Sequence, residues 1–284
     1  MITAEFLDQL SRFSLIVHKR VTSSYAGPRR SVTQGKGIMF KDHRVYAPGD
    51  DFRSIDWKVF ARTDDLYIKN FEEERNLSVH IIIDNSASMN FKSKGFSKFE
   101  YASMIGIGFA YLTIRENGKF QFATFADDVS VFSSRKGRSQ IMTMIDYLNR
   151  IKHGKKTDFN KCMMKYKKYI QSRSLIVIIS DFLYDLDQIE LPLYLFGGHN
   201  IKLVQVLDPV ELNLKEIEGD YNLEDLETGD KLRTYISQRL RNKYSQQLQE
   251  HIGKIKDICN RASVEFHTVT SEKPVFDSFF QILR

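Results

Sequence analysis

The chain has 284 residues, of which 42% are hydrophobic and 27% are charged, and it carries a net charge of +6. This length and composition allow one large or two small folded domains and exclude wholesale disorder. Two cysteines cannot form a disulfide framework, and the longest nearly apolar stretch is far shorter than a membrane span of roughly 20 residues, which predicts a cytoplasmic protein.

The first 75 residues begin with a predicted helix, Ala4–His18, and then become rich in glycine and arginine before a loop-like stretch around Tyr46–Asp51. They have little apolar content of their own. We therefore interpret residues 1–75 as an N-terminal extension packed on a larger domain, residues 76–284. Arginines alternate with acids in the extension, which suits bidentate Arg–carboxylate pairs that would hold it in place.

From residue 76 onward, short apolar strands alternate with longer amphipathic stretches. The predicted strands are Val79–Ile83, Phe120–Phe125, Val129–Phe132, Leu175–Ile179, Lys202–Leu207 and Val264–Val269. The predicted helices are Lys98 to about Glu116, Ser139–Arg150, Asn160–Gln171, a short one near Asp187–Phe196, Lys231–Arg261 and Val275–Leu283.

This alternation predicts an α/β fold with a doubly wound, mostly parallel, Rossmann-like sheet. Runs such as HIIID and LIVIIS show no alternation of period two, as is typical of strands that are buried on both faces. The close succession of Phe120–Phe125 and Val129–Phe132 indicates a hairpin, and hence one antiparallel edge strand. Residues 208–230 are strongly acidic and contain two glycines, so we expect an exposed, turn-rich insertion there.

The most informative segment is the Asp84-x-Ser86-x-Ser88 loop, which follows the first predicted strand of the sheet. Ligands of open α/β sheets bind beyond the carboxyl ends of the strands. One carboxylate and two hydroxyls suit a hard divalent cation, and Mg²⁺ needs further oxygens from neighbouring loops. Thr157, before the helix near Asn160, and Asp181, after a buried strand, are the candidates. The structural alternative is that the serines cap the next helix and Asp84 accepts backbone N–H groups.

These five residues, Asp84, Ser86, Ser88, Thr157 and Asp181, resemble the metal-ion-dependent adhesion site of a von Willebrand factor A domain. The resemblance implies one Mg²⁺, with Mn²⁺ or Ca²⁺ as alternatives, and a coordination shell that a ligand carboxylate completes. It also implies that the three hydroxyls are direct ligands, that Asp84 is a close or water-bridged acid, and that Asp181 acts mainly through water. Lys155 and Lys156 precede Thr157, which places positive charge beside the expected ion.

A second pattern runs through the N-terminal segment. It consists of Gly35, Lys36, Gly37, Phe40, Arg44, Tyr46, Gly49, Asp50, Asp51, Arg53, Ile55, Asp56, Trp57, Ala61, Arg62, Thr63 and residues 71–75. This pattern is similar to the signature of the domain-of-unknown-function family 58, which joins such a segment to a von Willebrand A-like domain. The resemblance continues through Asp208-Pro209-Val210-Glu211 and Asp225-Leu226-Glu227-Thr228-Gly229. Members of this family commonly act beside MoxR-type AAA+ ATPases, so the resemblance implies an adaptor or chaperone-like role.

We therefore expect a non-catalytic, Mg²⁺-dependent interaction module that captures a carboxylate of a protein partner, either a MoxR-type AAA+ ATPase or its client. Two alternatives stay open. A metal-dependent hydrolase would use the same loops, although no motif places a histidine, a cysteine or a third acid beside them. A nucleic-acid-binding protein would use the basic residues that concentrate between 90 and 175, including Lys161, Lys165 and Lys168 at helical spacing.

Overall fold

The computed structural model describes residues 5–13, 39–72, 78–132, 138–154, 156–212, 214 and 217–283. The chain forms two compact units. The larger comprises Met1–His18 with Leu77–Arg284, and the smaller comprises Lys19–Asn76. Most of the glycine- and arginine-rich stretch, residues 73–75 and Lys155 lie outside the described residues. Helix α1, residues 5–13, belongs to the larger unit.

The smaller unit is built on an antiparallel pair of strands, β1 (Met39–Val45) and β2 (Tyr67–Glu72), with helix α2 (Trp57–Thr63) between them in sequence. The sequence does not predict these strands, because both mix charged residues into short segments with no clear period. One expected ion pair is present within the unit, since Arg44 donates to both carboxylate oxygens of Asp50 at 2.8 and 2.6 Å. That pair closes the turn after β1.

The larger unit contains the remaining strands and helices. Its strands are β3 (Ser78–Asp84), β4 (Lys119–Phe125), β5 (Val129–Phe132), β6 (Leu175–Ser180), β7 (Asn200–Leu207), β8 (Gly219–Glu224), β9 (Lys231–Ile236) and β10 (Glu265–Thr270). Its further helices are α3 (Lys98–Arg115), α4 (Arg138–Arg150), α5 (Phe159–Tyr166), α6 (Leu186–Leu195), α7 (Pro209–Leu212), α8 (Gln238–Arg261) and α9 (Val275–Leu283).

Six strands form the central sheet in the order β10-β7-β6-β3-β4-β5. Every neighbouring pair is parallel except β4 and β5, which are antiparallel at the edge. The predicted doubly wound, mostly parallel sheet with one antiparallel edge strand is confirmed. The strands β8 and β9 form a separate antiparallel hairpin.

At β3 and β6 both faces of the sheet are buried, which explains why these two strands read as continuous apolar runs. In β3, Ile81 and Ile83 enter a core cluster that α1, α3, α4 and α9 also build, whereas Ile82 faces a second cluster with residues of α5, α6 and α8. Helix α3 begins at Lys98 because Ser97 and Glu100 form a reciprocal capping box. Within the described ranges, no helix is long and apolar enough to cross a membrane.

Three predicted elements need correction. The helix predicted over Lys231–Arg261 begins only at Gln238, where Ser237 caps it, because residues 231–236 form β9. Residues 208–230, which were expected to be rich in turns, include regular structure, since helix α7 and strand β8 lie within them. The helix predicted over Asn160–Gln171 ends at Tyr166 and continues only as a 3-10 turn.

Candidate functional site

The candidate site lies at the carboxyl ends of two adjacent central strands. Asp84 is the last residue of β3, and Asp181 directly follows β6. The two strands are parallel, with Ile83 opposite Ile179. Their carboxyl ends therefore meet at the same edge of the sheet, and the topology brings two acids from distant parts of the sequence together.

Asp84 is completely buried among hydrogen-bond donors. Its Oδ1 accepts the backbone N–H of Ser86 at 2.9 Å and the hydroxyl of Thr157 at 3.4 Å, and its Oδ2 accepts the hydroxyl of Ser180 at 2.6 Å. Burial, followed by the negative charge of Asp181, raises the pKa of Asp84 to about 7. A cation at this edge would offset both the desolvation of the Asp84 carboxylate and its repulsion with Asp181.

The two serines of the loop connect with Asp181. The hydroxyls of Ser86 and Ser88 lie 3.0 Å apart, and Ser88 donates to Oδ2 of Asp181 at 2.8 Å. The short 3-10 helix that follows, Ser88–Asn90, has Ala87 at its N-cap and no side-chain cap. The hydroxyl of Ser88 therefore points to Asp181 and that of Ser86 to Ser88, and neither serine caps the 3-10 helix. The predicted backbone N–H bond to Asp84 is present.

Thr157 is positioned by the loop that precedes α5. The side chain of Asn85 donates to the carbonyl of Lys152 at 2.9 Å, and the carbonyl of Asn85 accepts the N–H of Gly154 at 2.8 Å. A Cβ at Gly154 would lie only 2.5 Å from Cβ of Ala126, so this close approach requires glycine. These contacts fasten the Thr157 loop to the Asp84 loop, and all five predicted residues are brought together.

A buried cation that the sequence analysis missed also contacts the site. The side chain of Lys98 is completely buried, and its Nζ donates to Asp181 at 2.8 Å and to Glu211 at 2.6 Å. Burial acts to lower the pKa of Lys98, but the two carboxylates outweigh it and the pKa is raised. The signal in the sequence is a lysine in the first turn of a helix whose middle, Met104–Ala110, is apolar.

Glu211 belongs to the Asp208-Pro209-Val210-Glu211 motif, whose two acids accept backbone N–H groups around the start of α7. Asp208 accepts the backbone N–H groups of Ser93 at 2.8 Å and Val210 at 2.9 Å, and Glu211 accepts that of Asp208 at 2.9 Å. The motif fixes α7 at the end of β7. It thereby holds a second carboxylate against Lys98.

A further acid lies at the tip of the β8–β9 hairpin. Glu227 is half-buried there, and the charges of Asp181 and Lys156 both act on it. Burial, followed by the charges of Asp181 and Asp225, raises the pKa of Glu227 against the opposing charge of Lys156. The sequence analysis did not place this residue, because nothing local to the hairpin indicates where its tip lies.

The donor set fits a hard cation of the Mg²⁺ type. Two carboxylates and three hydroxyls converge at one edge of the sheet, and oxygen is the ligand that such ions prefer. In the part of the chain that the structure describes, no three histidine, cysteine, aspartate or glutamate side chains lie close enough to hold an ion by themselves. The hydroxyls would therefore have to act as ligands together with the acids.

The chain is similar to bacterial proteins and to solved structures. It is 26% identical over 247 residues to the protein Rv1480 of Mycobacterium tuberculosis. The aligned residues cover 85% of this chain and 77% of that protein. It is 23% identical to YeaD of Bacillus subtilis over 137 residues, which is 48% and 32% of the two chains. Among solved structures, BatB of Bacteroides thetaiotaomicron and an aerotolerance-related membrane protein of Bacteroides fragilis each match 73% of this chain and 98% of their own. Their TM-scores are 0.47 and 0.49, at 14% and 16% identity.

The family comparison covers most of the sequence. The family described as "Protein of unknown function DUF58" matches residues 42–254. The match runs from within β1 through most of α8, and it therefore includes the Asp84 loop, Thr157, Asp181 and the β8–β9 hairpin. The chain belongs to the DUF58 family.

Proposed function

We propose that the protein is a non-catalytic interaction module that binds Mg²⁺ and captures an Asp or Glu side chain of a protein partner. The observation that carries the proposal is the convergence of Asp84, Ser86, Ser88, Thr157 and Asp181 at one edge of the sheet. This set resembles the adhesion site of a von Willebrand factor A domain. The ion would supply a positive centre on which a partner's carboxylate is oriented.

The partner that we propose is a MoxR-type AAA+ ATPase or its client. The support is family membership, together with the resemblance of the larger unit to a von Willebrand A-like domain. The basic residues beside Thr157 favour an acidic partner surface, since complementary charge speeds association and orients the two surfaces.

Two features of the structure weigh against nucleic acid as the alternative ligand. Lys161 donates to the carbonyl of Asp127 at 2.9 Å, and Lys165 pairs with Asp128 at 2.8 Å. Lys168 lies in the 3-10 turn after α5, so the three lysines do not share one regular helical face. The basic stripe expected from the sequence is thus partly used within the chain.

The metal proposal is tested with Asp84→Asn, which removes the charge and keeps the shape of the buried side chain. We expect wild-type protein to bind Mg²⁺ in titration calorimetry and the variant to show no binding, because the remaining carboxylate and hydroxyls cannot offset dehydration of the ion. Asp187→Asn, at an exposed position in the first turn of α6, is the control. Pull-down of the ATPase with and without chelator extends the test to the partner.

Wild-type protein that binds no Mg²⁺ at millimolar concentration would overturn the metal site. Equal recovery of the partner in Mg²⁺ and in chelator would overturn metal-dependent capture, whatever the calorimetry shows.

A further inference from the structure

A cavity of about 380 Å³ lies between the first turns of α3 and the end of α4. Ser97, Phe99 and Ser103 line it from α3 and its N-cap. Leu148 lines it from α4, and His153 lines it from the loop that follows. The volume is far larger than a single water requires and lies in the range of pockets that hold small molecules. The cavity therefore has room for a ligand.

The hydroxyl of Ser103 is buried at this cavity without a hydrogen-bond partner among the described residues. Ser103 is only 2% exposed. A hydroxyl in a helix can donate to the carbonyl four residues earlier, as that of Thr113 in the same helix does to Phe109 at 2.7 Å. Ser103 makes no such bond. A buried hydroxyl without a partner costs free energy, and a molecule bound in the cavity would supply the partner.

A second polar atom at the cavity is also unpaired. Nδ1 of His153 is shielded from solvent and has no hydrogen-bond partner in the part of the chain that the structure describes. The imidazole packs edge-on against Phe99, with ring centroids 4.8 Å apart. The backbone on both sides of the ring is fixed, because the carbonyl of Lys152 and the N–H of Gly154 both bond to Asn85. The fold therefore holds this ring at the cavity.

The lining has no net charge and combines polar with apolar groups. Of its described residues, Lys92 and Glu100 are the ones with formal charges, and the two charges are opposite. Burial lowers the pKa of His153, so its imidazole is uncharged at neutral pH and offers one donor and one acceptor. Phe99 and Leu148 are buried core residues that supply an apolar wall. Such a lining suits an uncharged ligand with hydroxyl groups on one side and carbon on the other.

We propose that this cavity binds an uncharged, hydroxyl-bearing molecule of about the size of a monosaccharide. The hydroxyl of Ser103 and the imidazole of His153 hydrogen-bond the hydroxyl groups of the ligand, and Phe99 and Leu148 contact its carbon face. This site is separate from the proposed metal ligands, and binding in it requires no ion. A free sugar and the ribose of a nucleoside share this chemistry, so the test includes both.

The probes are D-glucose and D-ribose for the sugar and adenosine for the nucleoside, with acetate and methylammonium as charged comparisons. Binding to the full chain is followed in chelator by the ring signals of the histidines in NMR spectra. The signal of His153 is assigned by its loss in His153→Phe, which keeps an aromatic ring beside Phe99.

Two serine variants provide the matched comparison. Ser103→Ala removes the hydroxyl at the cavity. Ser271→Ala also removes a buried hydroxyl that has no partner within the described ranges, but Ser271 does not line the cavity. Each variant loses an unpaired buried group, so neither should unfold at a lower temperature than wild-type protein.

We expect at least one of the three hydroxyl-bearing probes to shift the His153 signal in wild-type protein and in Ser271→Ala. The same probe should bind roughly 2- to 10-fold more weakly to Ser103→Ala, because one hydrogen bond is lost. Binding of glucose or ribose would identify the ligand as a sugar, and binding of adenosine alone would identify it as a nucleoside.

The site is overturned if none of the three probes shifts the His153 signal at millimolar concentration, because water alone then fills the cavity. Equal affinity of Ser103→Ala and Ser271→Ala would place the bound probe elsewhere. Tighter binding of acetate or methylammonium would reject an uncharged ligand. A loss of thermal stability confined to Ser103→Ala would mean that the fold itself uses this hydroxyl. All of these results are independent of Mg²⁺ binding, since chelator is present throughout.

Discussion

At the scale of single residues, the site is balanced by a cation that the protein itself supplies. Lys98 lies between Asp181 and Glu211 with no exposed side-chain surface, so neither acid is left without a neighbouring positive charge. Buried ions are costly unless they are paired, and removal of one partner leaves the other charge uncompensated. The lysine therefore supplies the positive charge that both acids need in the fold, and its charge would oppose the approach of Mg²⁺ to Asp181.

Lys98→Met removes this charge and keeps a linear side chain. In chelator we expect the free energy of unfolding to fall by about 3–5 kcal/mol, because the buried carboxylate of Asp181 and the partly buried one of Glu211 lose their partner. Mg²⁺ should restore part of this loss and should bind more tightly than to wild-type protein. Urea denaturation with and without Mg²⁺ measures both effects.

Lys165→Met is the matched control for this variant, since it removes a lysine whose pair with Asp128 is exposed on both sides. It should leave stability nearly unchanged, because exposed ion pairs contribute little. If saturating Mg²⁺ does not reduce the loss of stability in Lys98→Met, then the ion does not replace the charge of Lys98 beside Asp181 and Glu211.

At the scale of elements, the core of the fold follows from local patterns and the surface does not. The apolar runs of β3 and β6 and the capping box before α3 can be predicted because each carries its signal within a few residues. The start of α8 is missed for the opposite reason. Residues 231–236 form a strand only because β8 pairs with them, and a pairing partner is not visible in a window of sequence.

The same distinction applies to the site. Asp84, Thr157 and Asp181 can be predicted because each ends or follows a strand or precedes a helix, and parallel strands bring such positions together. The role of Lys98 could not be predicted, because it depends on how α3 lies against loops that are far away in sequence. A resemblance to a known site names its ligands, but it does not name the buried charges beside them.

Close packing of α3 predicts that one substitution will have opposite effects in two helices. A Cβ at Gly108 would lie 2.9–3.2 Å from ring atoms of Phe279 in α9, whereas a Cβ at Gly253 in α8 would meet nothing within 4 Å. Gly253→Ala should raise the free energy of unfolding by roughly 0.5–1 kcal/mol, because alanine is the better helix former.

Gly108→Ala should instead lower it by roughly 1–3 kcal/mol, since the aromatic ring must shift in a packed core. Thermal or urea denaturation of the two variants beside wild-type protein measures the difference. Stabilisation of both variants would show that α3 and α9 are less tightly packed than the structure has them.

At the scale of the whole molecule, the distribution of charge matters more than the net value of +6. The basic residues near Thr157 and the acids of residues 208–230 are separated in sequence, but the charge of Lys156 acts on both Asp225 and Glu227. The acidic segment therefore offsets part of the positive charge of the basic region within the chain itself.

Global stability should also depend on pH through a histidine in the middle of the sheet. His80 lies in β3, is 4% exposed, and shares a 2.9 Å hydrogen bond with the hydroxyl of Tyr166. Burial, followed by the charge of His199, lowers the pKa of His80 from 6.5 to about 4. Between these values the unfolded chain binds the proton and the folded chain does not. This group therefore makes stability fall as pH decreases from 6.5 to 4.

The full effect is on the order of 3 kcal/mol, since one pKa unit corresponds to about 1.4 kcal/mol. His80→Gln removes the titration and keeps a polar side chain beside Tyr166. The difference in unfolding free energy between wild-type protein and this variant, measured in chelator, should be constant above pH 6.5. Below that pH it should change in favour of the variant until about pH 4, because only the wild-type protein carries a histidine that is protonated on unfolding. Parallel curves across this range would mean that His80 is accessible to protons in the folded state, and that the centre of the sheet is more open than its packing indicates.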